Sequence, residues 1–124
     1  MKFGIFFLVI LLTLPSPLTF GITMRKNLSV YMIIQSTVKN AEKYNQYIDR
    51  VSPIVEKYGG CYHVRGENIR SLGSWNPERV IVIEFQSEDQ IQNWLKSPEY
   101  AAVAPLRESG ADAQAIIVEG YQKD

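Results

Sequence analysis

Six side chains stand out as candidates for chemistry: Cys61, His63, Arg65, Trp75, Glu84 and Tyr100. Cys61, His63 and Arg65 alternate along CYHVR, and the two-residue period of an extended chain places them on one side of a strand. Glu84 falls on the side of Val80 and Val82 in RVIVIEF. Where those two sides coincide, a carboxylate, an imidazole and a guanidinium converge in one pocket. A buried Glu84 would have a raised pKa and serve as general acid or base, with His63 assisting. Arg65 would hold a substrate carboxylate through a bidentate pair. Trp75 and Tyr100 would supply an aromatic wall. The competing reading is an Arg65–Glu84 ion pair that fixes strand register and does no chemistry.

Other chemistries lack their residues. A single histidine excludes paired-histidine metal motifs, and a single cysteine excludes an internal disulfide and multi-cysteine metal sites. His63 has no carboxylates at ligand spacing, and only His63 or Cys61 would be available as an axial haem ligand. Cys61 reads as a small buried hydrophobe. There is no Gly-x-Ser-x-Gly elbow and no phosphate-binding glycine loop. We therefore expect no metal and no cofactor. With 13 basic and 13 acidic side chains the 124-residue chain has zero formal charge, which argues against nucleic acid and against a polybasic membrane surface.

These candidates need a scaffold. Leu28–Thr37 is rich in β-branched and aromatic residues and predicts a strand. Asn40 is an N-cap, and Tyr44, Tyr47, Ile48, Val51, Ile54, Val55 and Tyr58 recur with helical period over 41–58. The tyrosines of that stripe read as core packing. Pro53 predicts a kink or local break, and Gly59-Gly60 the end. Cys61–Arg65 predicts a short strand, Gly66–Asn68 a turn, and Ile69–Gly73 a further extended piece. Arg79–Phe85 is the strongest strand signal. Ser87 with Gln90 forms a capping box for a helix carrying Ile91, Trp94 and Leu95. Ser97-Pro98 restarts a helix with Tyr100, Val103 and Leu106, which Gly110 closes before a last strand at Ala113–Glu119.

The order is β-α-β-β-α-β with a broken second helix. This is the ferredoxin-like, α+β arrangement: an antiparallel sheet with its helices on one face. Both faces of the strands are apolar. Val80 and Val82 oppose Ile81, Ile83 and Phe85; Tyr31 and Ile33 oppose Met32 and Ile34; Ile116 and Val118 oppose Ala115 and Ile117. Helices on one side leave the other as a large apolar patch, which marks an interface. A homodimer, sheet against sheet, is the expected solution.

Several short motifs, taken together, carry a resemblance. They are Tyr58-Gly59-Gly60, Val64-Arg65-Gly66, Trp75 with Pro77-Glu78-Arg79-Val80, Val82-Ile83-Glu84-Phe85, Ser97-Pro98-Glu99-Tyr100 and Val118-Glu119-Gly120. In that order and spacing the stretch from Tyr31 to Gly120 resembles the bacterial family catalogued as domain of unknown function 1330. The resemblance implies a ferredoxin-like fold assembled as a dimeric α+β barrel, and no established reaction. Related barrels include cofactor-free monooxygenases, isomerases and haem-dependent enzymes, but fold analogy does not transfer function. The expected function is that of a small-molecule pocket, used for cofactor-independent acid/base or monooxygenase-like chemistry, or else a binding or assembly module whose barrel interior is only a core.

Residues 1–23 differ from the rest. Ten of the twelve residues from Phe3 to Leu14 are strongly apolar, Lys2 precedes them, and Pro15-Ser16-Pro17 follows. This matches a secretory signal peptide with a cleavage site near Gly21. An uncleaved anchor and a true start at Met24 are the other readings; two prolines interrupt the apolar run well short of the ~20 residues a stable span needs. The first reading makes the protein periplasmic or secreted, and the third makes it cytoplasmic. The remaining domain, 24–124, has 12 basic and 13 acidic residues and suits a single core.

Overall fold

The computed structural model describes residues 28–123, so all three readings of residues 1–23 lie outside the described residues. The elements are β1 (Val30–Val38), α1 (Ala41–Lys57), β2 (Cys61–Gly66), β3 (Arg79–Phe85), α2 (Glu88–Leu95), α3 (Pro98–Gly110) and β4 (Ala111–Glu119). The sheet is antiparallel with strand order β2-β3-β1-β4. This is the ferredoxin-like α+β topology expected from the sequence.

Caps fix the helices. Asn40 Oδ1 accepts from Lys43 N at 3.1 Å and starts α1. Pro53 does not break that helix, contrary to one expectation, and α1 runs on to Lys57. Buried Val51 and Val55 on either side hold the helix to the sheet, so tertiary packing outweighs the hydrogen bond that proline cannot make. Gly59, at φ +95°, provides the left-handed turn after α1. Ser87 Oγ accepts from Gln90 N at 3.3 Å, while Gln90 Oε1 reaches back to Gln86 N, one residue before the cap. Ser97 Oγ accepts from Tyr100 N at 3.0 Å and donates to the Trp94 carbonyl at 2.7 Å, so one hydroxyl joins the end of α2 to the start of α3.

Val51 and Val55 of α1, Ile83 and Phe85 of β3, Ile91 and Trp94 of α2, and Val103 of α3 form the core. It lies between the helices and one face of the sheet. Close approach of α1 and α3 depends on Gly110, where a Cβ would meet the Tyr44 backbone nitrogen at 2.8 Å.

Two boundaries moved. β4 begins at Ala111 rather than Ala113, because pairing with β1 continues to Val38↔Ala111 and the Gly110 carbonyl accepts from Lys39 and Asn40. Ile69–Gly73 is not a strand. Extended backbone becomes a ladder only with a partner, and β2 is the edge of the sheet. The connection 67–78 is instead tied down by side chains: Glu67 pairs with Arg79, and Glu78 Oε1 accepts from Val38 N at 3.1 Å.

At the other end of the sheet, Gly120 N donates to the Ser29 carbonyl at 2.8 Å. The two ends of the domain therefore meet beside β1 and β4.

Candidate functional site

The register assigns each strand residue to a face. Ile81, Ile83 and Phe85 lie on the helix side, opposite Ile34, Met32 and Val30. Val80, Val82 and Glu84 lie on the outer side, opposite Gln35, Ile33 and Tyr31. In β2, Cys61 opposes Glu84 and Tyr62 opposes Ile83, but Val64 then opposes Val82 and Arg65 opposes Ile81. His63 is thus an extra residue in a β-bulge. The bulge breaks the period of two and separates the predicted constellation. Arg65 and Tyr62 turn to the helix side, and His63 joins Cys61 and Glu84 on the outer side.

Between the sheet and the helices lies a cavity of about 200 Å³. Its aromatic wall is Tyr44, Tyr47, Tyr62, Trp94 and Tyr100, and its apolar floor includes Met32 and Ile83. Arg65, Arg79 and Arg107 are its charged residues. Arg65 stacks over Tyr62 with its guanidinium 4.7 Å from the ring centroid, and Arg79 over Tyr44 at 5.3 Å. The Tyr47 and Tyr100 hydroxyls are 3.4 Å apart. Burial pushes the Tyr47 phenol far above its ordinary 10.0, with Tyr100 adding to the shift, and burial also raises Tyr62. Tyr47 is accordingly neutral and available as a hydrogen-bond donor.

Two buried donors at this wall, Arg79 Nε and Trp94 Nε1, have no hydrogen-bond partner among the described residues. Buried polar groups are ordinarily paired, and an unmade bond costs about 1–3 kcal/mol. Arg79 Nη1 is engaged by Glu67 from outside the cavity.

The outer face holds the rest of the predicted set. His63 Nε2 lies 2.8 Å from Glu84 Oε1, and the His63 and Tyr31 rings are 6.0 Å apart. Glu84 is not a buried acid with a raised pKa. Hydrogen bonds from Ser29 and then His63 hold it below its ordinary 4.5. The ion pair expected between Arg65 and Glu84 does not form, because the bulge removes Arg65 from that face; the hydrogen-bonded His63–Glu84 contact stands there instead. Cys61 is exposed rather than buried. Trp75 is on this side as well: its Nε1 donates to Gln35 Oε1 at 3.1 Å, and it lines an outer groove with Ile33, Val80 and Ile116. Of the predicted site residues, Arg65 and Tyr100 share the cavity, whereas His63, Glu84 and Trp75 do not reach it.

Arg79, Arg107, Tyr44, Tyr47 and Tyr62 line the cavity without having been singled out as site residues. The tyrosine spacing on α1 is visible in the sequence, but packing and ligand contact share that signal. Among the described residues no cluster of His, Cys, Asp and Glu could hold a metal ion, and no helix is long and apolar enough to cross a membrane.

Topology and register define an α+β protein of the ferredoxin-like class. Residues 29–121 match the family model described as Domain of unknown function (DUF1330), and the chain belongs to that family. No functionally curated protein matches it. Among solved structures it is similar to a protein of unknown function from Rhodopseudomonas palustris, with 17% identity, a TM-score of 0.68, and coverage of 88% of this chain and 94% of that one. It is also similar to SnoaB, a cofactor-independent oxygenase from Streptomyces nogalater, with 14% identity, a TM-score of 0.60, and coverage of 77% and 96%. A dimeric ferredoxin-like protein of unknown function from Thermobifida fusca follows at 13% identity and a TM-score of 0.52, covering 78% and 95%. At these identities the likeness is one of fold.

Proposed function

We propose that the protein is a small-molecule-binding homodimer whose helix-face cavity is the binding site. The observation that carries this is a cavity walled by five aromatic side chains and three guanidinium groups. A concave apolar site with a few convergent polar groups is the usual form of a ligand pocket. Arg65 and Tyr100 keep the substrate-contacting roles expected of them.

The chemistry this pocket favours is stabilisation of an anion. Guanidinium groups in a site of low dielectric lower the pKa of a bound acid and hold its conjugate base. Cofactor-independent proton transfer and oxygenation both begin from such an anion, and the fold likeness to SnoaB supports that class. The second reading, binding without turnover, is favoured by a different observation: no Asp, Glu, His or Cys is among the cavity residues. Native mass spectrometry of the purified protein tests the common part. A small molecule that copurifies, and is lost in an Ala115→Phe variant filling the cavity, supports the reading. Retention of that molecule by a folded variant overturns it.

Dimerisation is supported by the outer face, where Val64, Ile116 and Val118 are exposed. Exposed apolar patches of this kind mark interfaces. A sedimentation mass of a single protomer would refute it.

A further inference from the structure

The sheet register places two guanidinium groups, Arg65 and Arg79, toward one end of the helix-face cavity, and Arg107 lines the same cavity from α3. Arg79 opposes Ser36 near the end of β1, and Arg65 opposes Ile81, which is on the same face of β3 as Arg79. Arg107 is in the last turn of α3, which leads directly into β4 where Ala111 opposes Val38. The opposite end of that face is closed by Ile83 and Phe85, with Trp94 stacked on Phe85, and all three are buried. The cavity thus has a cationic end, where Arg65 is exposed, and an apolar end inside the core.

No carboxylate lies among the cavity residues to neutralise this charge. Glu67 pairs with Arg79 Nη1, but its side chain is 73% exposed and approaches from solvent. A guanidinium grips a carboxylate through two parallel hydrogen bonds, and three guanidinium-bearing side chains line this cavity. Size sets a further limit. An apolar cavity of about 150 Å³ accepts benzene, so about 200 Å³ accommodates one ring with a small substituent.

We propose that the cavity selects small monocyclic carboxylic acids, with the carboxylate at Arg65, Arg79 and Arg107 and the ring against Trp94 and Tyr100. This rests on reading the cavity as a binding site. Glu67 then acts as a built-in competitor: it occupies part of the Arg79 guanidinium and weakens capture of the incoming acid.

Benzoate and its uncharged isostere benzamide are the probes. In a Trp75→Phe background Trp94 is the remaining one of the two tryptophans, so quenching of its emission reports binding in the cavity. Benzoate is expected to bind about tenfold or more tighter than benzamide, the size associated with a charge-assisted hydrogen-bonded pair. Arg79→Gln should erase that preference, and Glu67→Gln should strengthen benzoate binding without changing benzamide. Should Arg79→Gln fail to fold, Arg65→Gln combined with Arg107→Gln asks the same question at less buried positions. Equal binding of the two probes overturns acid selectivity and leaves the cavity as a binding site. Binding of neither probe overturns both. Tighter binding of benzoate that persists in all the arginine variants places the carboxylate elsewhere and also overturns the assignment.

Discussion

His63 Nε2 and Glu84 Oε1 lie 2.8 Å apart on the outer face of the sheet, joined across a bulge that sends Arg65 to the other face. A single extra residue therefore divides β2 between two environments. Cys61 and His63 face the exposed side with Glu84, while Tyr62 before the extra residue and Arg65 after it both face the cavity.

The Glu84 carboxylate gives acid stability a defined sign. Its folded-state pKa is below the ordinary 4.5, held there by Ser29 and His63. Its contribution is present above the unfolded-state value and is lost as pH falls through the folded value. Melting temperature should fall on acidification below about pH 4.5, and Glu84→Gln should make the first part of that decline shallower. Glu99, which Lys57 and Tyr58 hold down to about 2, sustains its own contribution to lower pH in both proteins. Identical melting curves against pH would show that Glu84 gains nothing from its partners.

Deletion of His63 tests the bulge. With the extra residue removed, Tyr62, Val64 and Arg65 keep their present partners in a regular ladder. The variant should fold, lose the Glu84 contact and retain Arg65 in the cavity, which an unchanged benzoate affinity would register. In an unbulged strand the same deletion would turn Val64 and Arg65 to the wrong faces, and the variant would unfold or lose its dimer.

Gly110→Ala should be destabilising by about 1–3 kcal/mol, the usual range for overpacking. The new methyl would meet backbone atoms of Tyr44 at 2.8 and 2.9 Å, which cannot swing aside as a flexible side chain would. For a domain of this size that is roughly 4–8 °C in melting temperature per kcal/mol. A variant as stable as the parent would mean that α1 and α3 have room to separate.

Ile116 is the most exposed of the apolar strand residues on the outer face, at 60%. Ile116→Glu should convert a dimer to a monomer in analytical ultracentrifugation while the circular dichroism spectrum is kept. A dimer that tolerates the charge uses another surface.

Export also has a direct test. The signal-peptide reading of residues 1–23 expects an intact mass corresponding to a chain beginning near Ile22 in the exported fraction. A cytosolic chain beginning at Met24 would refute it.

Much of this fold is written locally. The limits of the strand Arg79–Phe85 are visible in its sequence because a run of Val and Ile is distinctive whatever its neighbours. The caps at Asn40, Ser87 and Ser97 were legible for the same reason: each bonds an amide three residues on. The site was less legible because it depends on partners far away in the chain. Whether Arg65 shares a face with His63 is decided by pairing with β3, and nothing in CYHVR announces the bulge. Arg79 and Arg107 stand 28 positions apart, on a strand and a helix, and line one cavity only once the helix packs on the sheet. Trp75 lies in a connection with no period, so its side of the sheet could not be deduced.

The hydrogen bond from Gly120 N to the Ser29 carbonyl has a practical consequence. Entry to and exit from the domain occur at the edge farthest from the arginines, since Val30 and Glu119 pair at one extreme of the sheet and Ser36 and Arg79 at the other. A partner fused directly at Ser29 or Gly120 stands at the end of the sheet away from Arg79, and joining those two residues through a short linker leaves the arginine end unobstructed.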